Sequence, residues 1–233
     1  MRSLMPTDIA PDRFPATATT MLLPGPAGAI EVATDVSTPE VARAGTAIIC
    51  HPHPLQGGAM HNKVVTTLER ALRELGLATV RFNFRGVGAS QGSFDGGRGE
   101  TDDALALAAW VQRVRPGDAL WMAGFSFGSY VALGVATTLP VRQLITVAPA
   151  VTRLDFSALA MPACPWLVIQ GEADEVVDPA AVYAYVAART PPPTLVRLPQ
   201  TGHFFHRRLI ELRTIVQDHV RAQLPPLAGG ARE

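Results

Sequence analysis

Ala119-Leu120-Trp121-Met122-Ala123-Gly124-Phe125-Ser126-Phe127-Gly128 reads as an apolar strand that turns sharply into a helix, with a serine at the turn. Such a turn strains the serine backbone and pushes Oγ out above the sheet edge. A Cβ at position 124 or 128 would collide with the neighbouring strand or helix, so both flanking positions call for glycine. Small residues at Gly128 and Ser129 let Tyr130-Val131-Ala132-Leu133-Gly134-Val135-Ala136 pack as a buried helix. With 20 glycines in 233 residues, random order gives roughly 0.05 matches to G-x-S-x-G per chain. The strand before and the helix after raise Ser126 to candidate nucleophile.

Outward from this point, apolar runs alternate with helical patterns. The strand candidates are Thr46–Cys50, Ala78–Asn83, Ala119–Ala123, Leu144–Ala148, Trp166–Gln170 and Thr194–Leu198. The helix candidates are His61–Leu75, Glu100–Val114, Phe127–Thr138, Pro179–Arg189 and Leu209–Leu224. Near-continuous apolar strands separated by helices predict an α/β fold, a mostly parallel central sheet with helices on both faces. Ahead of them, Thr20–Leu23 and Ala29–Thr34 flank Pro24-Gly25-Pro26 and suggest a short antiparallel pair. Residues 1–19 and 225–233 read as flexible tails around a single domain over 20–224. Ligands of such sheets bind beyond the carboxyl ends of the strands, where Ser126 falls.

Composition narrows the function. Apolar residues make up 48% of the chain, lysine plus arginine and aspartate plus glutamate number 20 each, and the formal net charge is zero. The mean hydropathy is +0.18, which argues against disorder. Without a basic block, no nucleic-acid partner is expected. No apolar stretch is long enough to span a bilayer and no secretory signal opens the chain, so no membrane association and a cytoplasmic location are expected. Cys50 and Cys164 sit beside apolar runs and read as buried, inert thiols.

A serine hydroxyl is a weak nucleophile and needs a base, which in turn needs an orienting group. His203 lies in Gln200-Thr201-Gly202-His203-Phe204, directly behind the last strand, at the same sheet edge as Ser126; His206 is its rival. His219 falls in a helical pattern. The acid should follow another strand, and Gly171-Glu172-Ala173-Asp174-Glu175 supplies Asp174, with Glu172 and Glu175 as weaker candidates. Asp178 precedes Pro179 and a helix and reads as an N-cap. An oxyanion would be held by the Phe127 backbone N–H and by one from His51-Pro52-His53-Pro54-Leu55, where the prolines cannot donate. That leaves His53, which we favour, or Leu55. A metal reading of His51, His53 and His61 lacks an acidic or thiol ligand, so no metal and no organic cofactor is expected. Arg85-Gly86-Val87-Gly88 misplaces the third glycine of a dinucleotide loop, and Arg85 is expected to pair with a carboxylate such as Asp103. Asn62 and Lys63 open a helix beside the oxyanion loop, where they cap it or touch substrate. Phe125, Phe127, Phe204 and Phe205 flank the candidate positions and line an acyl pocket or pack beneath the turn.

The ordered set His51–Gly58, Asn83–Ser90, Gly124–Gly128, Gly171–Val177 and Gly202-His203-Phe204 resembles the α/β-hydrolase superfamily, specifically small lidless bacterial serine hydrolases related to dienelactone hydrolase and simple carboxylesterases. The resemblance implies a Ser126–His203–Asp174 triad and an acyl-enzyme intermediate. His51-Pro52-His53 departs from the His-Gly-X of many members, and serine replaces the cysteine of dienelactone enzymes. Only a short link, Pro149 to Pro165, stands where other members insert a cap domain. These features predict a carboxylesterase acting on small, soluble acyl esters at a site open to solvent. A thioesterase or peptidase uses the same triad, and a non-catalytic binding module on this fold is the different-class alternative. Oligomeric state is not legible.

Overall fold

A computed structural model describes residues 11–228. Eight strands, β1 (Thr19–Gly25), β2 (Gly28–Asp35), β3 (Gly45–Cys50), β4 (Ala78–Phe82), β5 (Ala119–Phe125), β6 (Gln143–Val147), β7 (Trp166–Gly171) and β8 (Thr194–Leu198), form one sheet in the order β1-β2-β4-β3-β5-β6-β7-β8. The first two form the expected hairpin, and β2 also runs antiparallel to β4. All remaining neighbours are parallel. The helices are α1 (Lys63–Glu74), α2 (Arg98–Val114), α3 (Phe127–Thr138), α4 (Pro179–Ala187) and α5 (Leu209–Val220).

Each central strand is apolar on both faces because each face is covered. Along β5, Leu120 and Met122 join the cluster that takes in Leu107 of α2, Val131 of α3 and Val182 of α4. The alternate residues Trp121, Ala123 and Phe125 pack with Leu68 of α1 and Val216 of α5. This period-two split between helix layers is the physical origin of the continuous apolar runs.

Expected and observed elements coincide at Phe127–Thr138 and Thr194–Leu198. β5 runs two residues further than its apolar run suggested, so Ser126 follows the strand directly. The last helix stops at Val220 and closes with a 3-10 turn, Arg221–Gln223. The segments read as tails make contacts to the domain where they are described. Phe14 stacks on Trp110 at 5.5 Å, and the Trp110 indole N–H donates to Pro11 O. At the other end, Ala44 N–H donates to Pro226 O and Ala228 N–H to Ala42 O. Aromatic burial on one side and backbone pairing on the other hold these stretches to the domain; the rest of both tails lies outside the described residues.

The parallel strands β3, β5, β6, β7 and β8 all point their carboxyl ends to one edge. Four loops from that edge, after β3, β5, β7 and β8, carry the candidate site.

Candidate active site

Ser126 sits between β5 and α3 at φ 55°, ψ −117°, a conformation costing on the order of 1–3 kcal/mol for a residue with a side chain. The surroundings enforce it. Its N–H donates to Val147 O at 2.8 Å. The buried Ser129 hydroxyl donates to Gly124 O at 3.0 Å, with Val147 O at 3.3 Å. A Cβ on Gly124 would lie 2.2 Å from Gly128 O, and one on Gly128 would lie 2.3 Å from Cys50 O. The turn therefore closes only with glycine at both positions.

His203 arrives on the loop after β8 and is buried. Its Nε2 is 3.0 Å from Ser126 Oγ and its Nδ1 is 2.9 Å from Asp174 Oδ2. An ionised carboxylate only accepts, so Nδ1 carries the proton and Nε2 faces the serine hydroxyl as acceptor, the arrangement a general base needs. Asp174 is further tied by its Oδ1, which accepts the Val176 and Val177 N–H groups at 2.8 Å each. Burial pushes its pKa up, but the bonds from His203 and from those amides outweigh it and hold the carboxyl below its ordinary value. The His203 imidazole packs against the Phe125 ring at 5.0 Å and edge-on to Phe204 at 5.1 Å.

The rival groups have other employment. His206 is exposed, and His219 is an exposed residue of α5 whose Nδ1 bonds Ile215 O. Asp178 Oδ1 accepts from Ala180 N–H and caps α4, as expected. Glu172 is exposed, and Glu175 instead accepts the His203 backbone N–H at 3.1 Å.

His51 behaves as a structural clamp. It is wholly buried, with Nε2 accepting the Phe84 N–H at 2.9 Å and Nδ1 donating to Pro52 O at 2.6 Å. Burial drives its pKa down to about 4, so the ring is neutral with both nitrogens occupied, which removes it as a metal ligand. It fixes the loop that follows β3. In that loop His53 caps the turn Pro54–Gln56, and its Nδ1 accepts the Leu55 N–H at 3.2 Å. Leu55 has thus spent its donor, whereas the backbone N–H groups of His53 and Phe127 have no partner among the described residues. The His53 ring lies 5.2 Å from that of Phe127 and 4.9 Å from that of Phe94.

Of the phenylalanines, Phe125, Phe127 and Phe205 are core, and only Phe204 is exposed, at 42%. Arg85 makes its expected pair, a two-pronged bond to Asp103 with both distances 2.8 Å. Asn62 caps α1 through Val64 N–H. Both cysteines are free; Cys50 is buried as expected but Cys164 is only half-buried, and burial raises the Cys50 thiol well above its ordinary value and Cys164 to about 11. The residues sequence reading missed are the His51 clamp, the Ser129 hydroxyl and the Glu175 tether. Only the apolar context of His51 hinted at burial.

A family model described as X-Pro dipeptidyl-peptidase (S15 family) matches residues 28–161. Among solved structures, an α/β serine hydrolase without lid from Xanthomonas campestris is 54% identical, with a TM-score of 0.89 over 92% of this chain and 98% of that one. The chain belongs to the S15 family of α/β serine hydrolases. An α/β serine hydrolase homologue from Coxiella burnetii is 48% identical, with a TM-score of 0.86 over 89% of this chain and 99% of the homologue. An uncharacterised Rickettsia prowazekii protein is 33% identical over 206 residues, 84% of this hydrolase and 86% of the relative. In keeping with the lidless relative, the segment between Val147 and Trp166 carries only the 3-10 turn Phe156–Ala158. No helix among the described residues is long and apolar enough to cross a membrane.

Proposed function

We propose that this hydrolase cleaves small acyl esters through a Ser126 acyl-enzyme. The observation that carries the reading is the continuous Asp174–His203–Ser126 relay, with bonds of 2.9 and 3.0 Å, ending on a serine at a strained turn. Ser126 Oγ forms a bond to the carbonyl carbon as His203 Nε2 takes the hydroxyl proton, and the carbonyl electron pair moves onto oxygen. The N–H groups of Phe127 and His53, which have no partner among the described residues, receive that charge in this reading, and Asp174 stabilises the imidazolium. Collapse breaks the bond to the leaving alkoxide, which takes the proton from His203. Water then repeats the sequence on the acyl-enzyme and restores Ser126.

The short link between β6 and β7 and two exposed apolar side chains support a small, soluble ester with an apolar portion. Leu55, 72% exposed, stands two residues from His53, and Phe204, 42% exposed, follows the base. The description of the S15 family model favours a second reading, cleavage of peptides with the same residues. The test is a panel of p-nitrophenyl acyl esters, acyl thioesters and X-Pro p-nitroanilides, run beside fluorophosphonate labelling. Ester turnover dominating the panel, with label on Ser126, supports the proposal. X-Pro turnover dominating would transfer the chemistry to peptides, and an unlabelled, inactive protein would reject it.

A further inference from the structure

Gln170 is wholly buried in β7, and no step of the reaction above uses it. Its Nε2 donates to Asp174 Oδ2 at 3.0 Å and to Gly171 O at 3.1 Å. Both neighbours only accept, so the amide can face them solely through its nitrogen. Its Oε1 is consequently left buried with no hydrogen-bond partner among the described residues. An orphaned buried carbonyl oxygen destabilises a fold, and a leucine would fill similar space without one. A buried amide kept at this position at the cost of an orphaned oxygen points to a role in the chemistry.

Asp174 indicates the role. Its Oδ1 is pinned by two backbone N–H groups, but Oδ2 has only two partners, the His203 ring and the Gln170 amide. Without Gln170, nothing except the imidazole itself holds Oδ2 in line with Nδ1. That imidazole gains a proton and a full charge during each turnover, when its alignment matters most. The Gln170 amide is in turn held by its second bond, to Gly171 O, on the strand that delivers the Asp174 loop.

We propose that Gln170 is a positioning residue, whose buried amide locks Asp174 Oδ2 against the Nδ1–H of His203. The inference rests on the Ser126–His203–Asp174 reading of the site. Removing the lock is expected to lower kcat about tenfold or more, a typical effect of losing a group that orients a catalytic side chain, with KM unchanged because Gln170 touches no substrate.

The experiment uses the full chain and p-nitrophenyl acetate. Gln170→Leu should show the kcat loss and KM within about twofold of wild type, in a protein that a cooperative thermal melt shows to be folded. A folded Gln170→Leu protein with wild-type kcat would overturn the proposal, as would a loss expressed in KM alone. Gln170→Glu provides the second readout. Burial and the adjacent carboxylate favour its neutral form, whose O–H can replace the amide donor. This variant should therefore exceed Gln170→Leu at the acidic end of the working range and lose activity as pH rises and the new carboxyl ionises. A folded Gln170→Glu protein that matches a folded Gln170→Leu at every pH would refute the donor role; so, even if Gln170→Leu fails to fold, would a folded Gln170→Glu protein whose activity relative to wild type does not fall as pH rises. Ser126→Ala separates the layers: if it stays active, the triad reading itself fails, whereas an inactive Ser126→Ala beside a fully active Gln170→Leu sinks only this inference.

Discussion

Replacing Asp174 with asparagine tests the site most sharply, because the surroundings dictate which way the new amide faces. Oδ1 accepts two backbone N–H groups, from Val176 and Val177, so that corner must remain an oxygen. The amide nitrogen is forced into the corner facing His203 Nδ1. Donor then meets donor, and the imidazole escapes by shifting its proton to Nε2. It then presents an N–H to Ser126 Oγ and can no longer take the hydroxyl proton. In a Ser-His-Asp triad this change of tautomer lowers kcat by about 10⁴, about 5.5 kcal/mol of lost transition-state stabilisation. The fold should lose a little stability, about 1–3 kcal/mol, because Gln170 either meets the new N–H with its own nitrogen or turns over, gives up Gly171 O and buries an unpartnered Nε2. Steady-state p-nitrophenyl acetate hydrolysis, fluorophosphonate labelling rates and thermal melts measure all three consequences. A well-folded Asp174→Asn protein turning over within tenfold of wild type would refute the assigned roles.

Acid should weaken the fold through His51. Its folded pKa of about 4 lies below the ordinary 6.5, so between those values the unfolded chain binds a proton that the native state refuses. Stability is accordingly full above pH 6.5 and falls as pH drops towards 4, by up to about 3 kcal/mol; His51→Gln should flatten this part of a denaturation-versus-pH series, and an unchanged slope would contradict the assignment. Gly128→Ala places a Cβ 2.3 Å from Cys50 O and 2.5 Å from His51 O. Urea melts should show a loss of about 1–3 kcal/mol or more, together with reduced labelling of Ser126 as the oxyanion loop is pushed away; wild-type values on both counts would show that the backbone yields freely. Asp103→Asn strips the carboxylate from Arg85 in a pair whose side chains are 12% and 1% exposed. It should cost about 3–5 kcal/mol in chemical denaturation, with much of the loss recovered in the Arg85→Met/Asp103→Leu double variant. A double variant no more stable than the single one would argue against the buried-charge explanation.

The three catalytic candidates come from three separate strand ends, and their convergence follows from parallel pairing alone. Once β5, β7 and β8 run the same way, their following loops must open on one edge. The distances within the site depend on the clamps beneath it. Ser129 ties the elbow to β6, His51 ties the oxyanion loop to the segment after β4, and Glu175 ties the His203 backbone to the acid loop.

Features governed by a few neighbouring residues were readable from the chain itself. The glycine pair around Ser126 is demanded by local sterics, the Asp178 cap needs only the next two residues, and apolar periodicity reports which segments are covered on both faces. The order serine, acid, histidine, each behind a strand, picked out by the same logic three side chains that the fold brings within hydrogen-bond distance. Hydrogen-bond ownership between distant segments lay outside that reach. The clamp made by His51 on Phe84 spans 33 positions, and the bond from the His203 backbone N–H to Glu175 spans 28. Phe14 looked like tail because its partner, Trp110, lies on a helix far along the chain. Pairings of this kind depend on where folding brings each group, and no short stretch of sequence carries that information.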